Sequence, residues 1–303
     1  MSLLYFAIIK LMKTLFKKIG KDKIQCLACA HYCQIFDGNF GICGTRKNIN
    51  GKLVSLAYGR PVAINVDPIE KKPLYHFLPK TKILSIGTFG CNFSCQFCQN
   101  WQMSQISKNN PEIEKLFEDL KVYSPREIVK LVKENNCPSI AYTYNEPVIF
   151  IEYAHDIAKL AKKAGIKNVF VSNGFWSEES FEYISPFLDA ANIDLKSADD
   201  EFYRKYSGAR LAPILETIRQ LHKAKIHLEL TTLIIPGLND DEKNLKNIAK
   251  FIAKLDKNIP WHISRFFPCY KLKNLPPTPI STLKTAEKIG CSTGLKNIYI
   301  GNV

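Results

Sequence analysis

Three cysteines in the stretch GTFGCNFSCQFCQNW (87–101) stand at a C-x3-C-x2-C spacing: Cys91, Cys95 and Cys98. Soft thiolates select iron–sulfur clusters, zinc or Cu(I). A structural zinc site wants four ligands, usually as two closely spaced pairs. Here three thiols share one short loop with no fourth close by in sequence. Most electron-transfer 4Fe–4S clusters are ligated by four cysteines. Three ligands leave one iron open, as a cluster that binds a substrate requires. Gly87 and Gly90 let the backbone wrap closely around a large inorganic core, and Phe97 offers a flat apolar face beside it. Three incidental core cysteines, or half of a zinc site, are the bland alternatives, and neither accounts for this spacing on a Gly-bounded loop.

A second set, Cys26, Cys29, Cys33 and Cys43, reads C-x2-C-x3-C-x9-C. Four thiols in so short a segment suit a closed zinc site or an auxiliary iron–sulfur cluster, and the spacing leaves both open. His31 is an alternative ligand, and an inert group of buried thiols is the plain reading. Cys137, Cys269 and Cys291 are scattered.

The elements that must position these groups follow from the pattern after residue 81. Apolar strand candidates at 82–88, 139–144, 168–173, 190–195, 226–235, 261–266 and 297–302 alternate with amphipathic helical stretches. Ser124-Pro125-Arg126-Glu127 is a capping box with proline at the first helical position. Further helices fit 148–163, 179–188, 211–224, 240–256 and 281–289. Such alternation predicts an α/β chain with a parallel sheet. The special residues gather at strand C-termini: the cysteine loop, Asn145-Glu146-Pro147, Ser172-Asn173-Gly174 and Asp194-Leu195-Lys196. That is where a barrel places its active site. A doubly wound sheet would carry a Gly-rich phosphate loop instead, and no such loop is present. The expected fold is a partial or near-complete (βα) TIM-type barrel with a small N-terminal Cys-rich module. Its expected divisions are an N-terminal extension (1–20), the Cys-rich module (21–60), a connector (61–80) and the barrel (81–303).

On the rim, Asp194 and Lys196 share a strand face, and inward charges need partners or a polar ligand. A mutually paired salt bridge is the structural alternative. Glu146 could accept a hydrogen bond from a bound ammonium group, or simply open a helix with Pro147. His262 lies on another strand, where a single histidine is more often a satisfied core residue.

Composition narrows the classes. Of 303 residues, 46% are apolar and 23% charged, and the net charge is +14. The basic excess is scattered rather than blocked, which argues against a nucleic-acid-docking metal protein without catalysis. No H-E-x-x-H or G-x-S-x-G is present, so hydrolysis and acyl transfer are not expected. The opening apolar run is broken by Lys10 and Lys13, lacks a secretory pattern and is too short to span a bilayer. The protein is therefore expected to be cytoplasmic, without a membrane partner, and its cysteines to be metal ligands. Met12 makes a plausible alternative start.

These motifs resemble the radical S-adenosylmethionine (SAM) superfamily, whose hallmark is C-x3-C-x2-C with an aromatic residue before the last cysteine. Within it the chain resembles the pyruvate formate-lyase activating enzyme branch, and more closely the AmmeMemoRadiSam system radical SAM enzymes. The finer likeness is carried by CLACAHYC…GNFGICGTRKNINGKL (26–53), CNFSCQFCQNW (91–101), YTYNEP (142–147), SNG (172–174), IDLK (193–196), TTLIIPGLND (231–240) and WHISRFFP (261–268), over roughly residues 24–302. The resemblance implies a 4Fe–4S cluster on Cys91, Cys95 and Cys98 whose fourth iron chelates SAM. One electron then splits SAM into methionine and a 5′-deoxyadenosyl radical, which takes a hydrogen atom from a substrate. It implies SAM contacts from Phe97, Glu146, Ser172, Asn173, Gly174, Asp194, Lys196 and His262. It implies a low-potential donor such as ferredoxin or flavodoxin, and an unidentified protein or small-molecule substrate within the AMMECR/Memo-associated system. A glycyl-radical-enzyme activase is the alternative. The resemblance also implies a C-terminal cysteine-pair tail; the sequence ends at Gly301-Asn302-Val303, so the expectation is either that the tail is dispensable or that the reading frame is shortened.

Overall fold

The computed structural model describes residues 14–108 and 110–303; the Met12 start lies outside them. Five short strands make up the N-terminal part: β1 (Phe16–Lys18), β2 (Lys23–Cys26), β3 (Gln34–Phe36), β4 (Arg46–Ile49) and β5 (Lys52–Ser55). The first three form an antiparallel sheet, and the last two a hairpin.

Eight strands follow in one sheet: β6 (Ala63–Pro68), β7 (Lys82–Gly87), β8 (Ser139–Tyr142), β9 (Lys167–Ser172), β10 (Ala190–Asp194), β11 (His227–Ile234), β12 (Trp261–Arg265) and β13 (Ile298–Gly301). Their spatial order is their chain order. β7 to β13 run parallel, whereas β6 pairs antiparallel with β7. Each expected strand after residue 81 is present within two residues at either end. The stretch read as a connector behaves differently. It supplies β6, and residues 73–76 run on beneath the sheet: Pro73 O accepts from Asn192 Nδ2 at 2.8 Å, and the Tyr75 and His76 amides donate to the Glu229 carboxylate. The His76 ring meets the Tyr299 hydroxyl on β13 at 2.6 Å. This segment thus reaches from the β6 edge towards the β13 edge, which are not hydrogen-bonded to each other. The barrel is open, with a plugged floor.

Helices cover the outer face. The central strands are buried on both sides, as parallel strands are; β8 is buried at every position, whereas the edge strands β6 and β13 have no buried position. Helix Pro125–Glu134 starts at the expected capping box, with Ser124 and Glu127 bonding reciprocally, an arrangement that contributes about 1 kcal/mol. Helix Ile151–Lys163 buries Ile157, Ala158 and Ala161 against the strands and ends before Gly165 at φ +75°, the left-handed position that glycine fills without strain. Among the described residues no helix is long and apolar enough to cross a membrane.

The N-terminal part is pinned to the barrel by an ion pair. Arg46, buried, donates two hydrogen bonds to Glu152 at 2.6 and 2.7 Å. Arg46 Nε also donates to Cys26 Sγ at 3.2 Å. The fork geometry and low exposure make this a strong, specific contact.

Candidate active site

The loop after β7 carries Cys91 and Cys95, both buried, and the half-buried Cys98. All three line one cavity of about 350 Å³ at the C-terminal ends of the strands. Thr143 and Tyr144 follow β8, Ser172 and Asn173 end and follow β9, and Asp194 and Lys196 end and follow β10; all line the same cavity. Thr231 and Leu233 of β11 and Ser264 of β12 complete its far wall. Phe97 lies on the wall beside the thiols, with Lys196 Nζ 5.8 Å from its ring centre.

Asp194 and Lys196 are paired, Nζ to Oδ2 at 2.7 Å. Both also face the cavity, so the structural pairing and a ligand-facing position coexist. Burial opposes the Lys196 charge, but Asp194 and the nearby Cys95 more than compensate and raise its pKa. Burial pushes the Cys91 thiol well up, and Glu146 adds to this while Lys108 opposes it. Cys95 is raised by burial too, against the pull of Lys196. Thiols of this kind become thiolates when a metal takes the proton's place.

Three expected contacts are placed differently. Glu146 does not line the cavity. It is fully buried, and its carboxylate accepts from Ser172 Oγ at 2.7 Å, the Asn173 amide at 2.8 Å and the Val148 amide at 3.3 Å. Glu146 thus caps the short helical turn Pro147–Phe150 and at the same time holds the Ser172–Asn173 turn. Burial lifts its pKa to about 7 against these hydrogen bonds, with Asp194 adding to the rise. Gly174 also lies off the cavity. At φ +71° a Cβ there would stand 2.7 Å from Ile193 Cγ2, so close packing on β10 demands the glycine. His262 points into the barrel, two residues before the cavity-lining Ser264. It bonds Glu229 at 2.6 Å and stacks on Tyr299. It belongs to the polar layer under the cavity floor, because Glu229 already takes its ring nitrogen.

Other residues do more than their sequence signal suggested. Asn145 ties the cysteine loop to β8: Nδ2 donates to Thr88 Oγ1 at 3.0 Å and to Gly90 O at 2.8 Å. Tyr144 lines the cavity with φ +69°, a strained conformation for a bulky residue. Its hydroxyl donates to Asp67 at 3.0 Å. Lys71 and Lys72 reach the cavity from the segment after β6. The motif YTYNEP pointed at this strand end, but gave a role to its glutamate alone.

The Radical SAM superfamily model matches residues 85–251. The chain belongs to the radical SAM superfamily. Uncharacterized protein MJ0808 of Methanocaldococcus jannaschii is 41% identical over 289 residues, 95% of this chain and 84% of that one. The 4-hydroxyphenylacetate decarboxylase activating enzyme of Clostridium scatologenes is 25% identical over 53% of each chain. The pyruvate formate-lyase-activating enzyme of Clostridium pasteurianum is 23% identical over 66% of this chain and 86% of its own. Among solved structures, a radical SAM methyltransferase from Sphaerobacter thermophilus shares the fold: TM-score 0.55, 13% identity, 75% of this chain and 68% of that one.

The protein is thus a radical SAM enzyme, and its cofactors are a 4Fe–4S cluster and SAM. The residues present fit both. Three soft donors face one cavity with no fourth cysteine on its wall, and a zwitterionic molecule finds a carboxylate and an ammonium there. Among the described residues no three His, Cys, Asp or Glu side chains are gathered as a single metal ion would need. A multi-iron cluster spreads its ligands more widely than one ion does.

Proposed function

We propose that Cys91, Cys95 and Cys98 hold three irons of the cluster, and that SAM lies in the cavity between these thiols and the β9–β12 strand ends. One observation carries this reading: the three thiols, Asp194, Lys196, Ser172 and Asn173 all open onto the same 350 Å³ space. When bound, the cluster would supply the low-potential electron for reductive cleavage of SAM. The protein's part is placement and exclusion of water. Lys196 offers its ammonium to a carboxylate, and Asp194 its open oxygen to an amine. Ser172 and Asn173 present polar groups on a turn that Glu146 fixes. Phe97 keeps the adjoining wall apolar.

The substrate is a protein or peptide, and beside the cavity-lining Asn100 the exposed Trp101 stacks on Tyr270 at 5.2 Å. Aromatic faces of this kind suit a polypeptide contact. The two activating enzymes among the relatives support this class, and the motifs across residues 24–302 favour a target within the AMMECR/Memo-associated system. Electrons come from a low-potential donor of the ferredoxin or flavodoxin type.

The reading is tested by electron paramagnetic resonance on the reduced, iron-loaded protein. Adding SAM should change the cluster signal, because SAM takes the open iron. A signal unchanged at saturating SAM would contradict the proposed site.

A further inference from the structure

The four N-terminal cysteines are brought together although they come from three places in the chain. Cys26 ends β2, Cys29 and Cys33 lie in the following turn, and Cys43 precedes β4. All four line one small void of about 10 Å³, with Arg46, His31 and Asn92. None forms a disulfide. Three are buried and Cys33 is half-buried.

Four thiols around one void suit either a single zinc ion or a fully ligated iron–sulfur cluster. The polar donors around the void favour the cluster, whose inorganic sulfides add acceptors that a lone zinc ion lacks.

Two polar groups point to an anionic sulfur-rich occupant. Arg46 Nε donates to Cys26 Sγ at 3.2 Å, which compensates thiolate charge. Asn92, 1% exposed, lines the void, and its Nδ2 has no hydrogen-bond partner. Its orientation is fixed by its neighbours. Asn173 Oδ1 accepts from the Phe175 amide, so Asn173 Nδ2 is a donor and Asn92 must turn its oxygen towards it, at 2.8 Å. The Asn92 amino group is left facing elsewhere, and a buried unpaired donor of this kind is costly.

The two cysteine sets adjoin through the same residue. Asn92 follows Cys91, and its carbonyl meets His31 Nε2 at 2.9 Å. At Gly90 a Cβ would stand 2.8 Å from Cys43 O, and at Gly44 one would stand 2.2 Å from Ser107 O. The loops are packed backbone to backbone.

We propose that Cys26, Cys29, Cys33 and Cys43 hold a second, fully cysteine-ligated iron–sulfur cluster, and that Asn92 Nδ2 donates a hydrogen bond to one of its sulfurs. This deepens the radical SAM reading but is separable from it, since iron at one cysteine set is measured without reference to the other. The test is metal content and Mössbauer spectra of protein purified anaerobically from iron-replete cells, beside a Cys29→Ala/Cys33→Ala variant. Wild type should carry about six to eight irons per chain and the variant about four, as the closed cluster has two or four irons. The SAM-responsive signal of the Cys91 loop should persist in the variant. About one zinc with about four irons in wild type would overturn the proposal, as would equal iron in both proteins. Asn92→Ala tests the hydrogen bond: iron should be retained and the midpoint potential of the N-terminal cluster should become more negative, because donors to cluster sulfurs raise it. An unmoved potential would remove Asn92 from the assignment.

Discussion

Replacing Lys196 with Met removes one ammonium from the cavity wall and keeps most of the apolar stem. Lys196 Nζ lies 2.7 Å from Asp194 Oδ2, and the two side chains are 10% and 36% exposed. That setting falls between an open surface bridge, worth about 0–1 kcal/mol, and a sealed one whose one-sided loss costs about 3–5 kcal/mol. A stability loss of about 1–2 kcal/mol follows from these bounds. At an unfolding entropy of about 2.1 cal/mol/K per residue over 303 residues, Tm should fall by about 2–3 °C. The ligand effect should be larger in relative terms. A hydrogen bond to a charged group contributes about 1.5–3 kcal/mol, so SAM should bind about 10- to 150-fold more weakly. Lys167→Met serves as the control. It breaks a comparable pair with Asp189, 2.8 Å apart, at the opposite strand end from the cavity, and should leave SAM affinity alone. Anaerobic SAM titration calorimetry and melting curves on the iron-loaded proteins give both quantities. If Lys196→Met lowers Tm but leaves the SAM Kd as in wild type, the pair is structural and the reasoning fails.

Other consequences follow from single contacts. The Glu146 carboxyl has a folded pKa of about 7, raised by burial, above an unfolded value of about 4.3. The folded chain therefore holds this proton more tightly. The contribution is complete below pH about 4.3 and is lost as pH rises through about 7, amounting to roughly 3–4 kcal/mol. Glu146→Gln should remove that slope, read as the difference between wild-type and variant denaturation curves from pH 5 to 8; identical slopes would show the carboxyl is not shifted. Glu152→Ala strands the buried Arg46 guanidinium and should cost about 3–5 kcal/mol, lowering Tm by about 5–8 °C; a drop below 1 °C would refute the pinning role. Gly90→Ala forces a Cβ to 2.4 Å from Thr45 Cγ2 at φ +92° and should displace the cysteine loop. Iron at the Cys91 set should fall well below one cluster per chain in quantitative iron assays, and full loading would show that the loop yields.

The barrel was legible because its signals are local and repeat. Strand runs, the Ser124 capping box and Gly165 each act within a few residues, and each element lies where its pattern put it. Spacing singled out the three cysteines after β7, and the structure opens all three onto one cavity. What the sequence concealed depends on contacts across long separations. Glu146 sits in a strand-end motif, yet its carboxylate is taken by Ser172 and Asn173, 26 and 27 residues on. His262 has the right strand, but Glu229 claims its ring below the cavity. The stretch 61–80 has no strong period, so its edge strand and its floor plug emerge only through Asn192, Glu229 and Tyr299. Asn92 carries no signal of its own in the sequence; its shared position between two cysteine sets needs both loops in place. Arg46 and Glu152 find each other across 106 residues.

The central claim is that the Cys91–Cys95–Cys98 loop supports reductive cleavage of SAM. The direct measurement is product formation by anaerobically iron-loaded, dithionite-reduced protein, with Cys95→Ala beside it. Wild type should convert SAM to 5′-deoxyadenosine and methionine, and the variant should form neither above background. Equal 5′-deoxyadenosine from both proteins, or none from a wild type with its cluster fully loaded, would contradict the account.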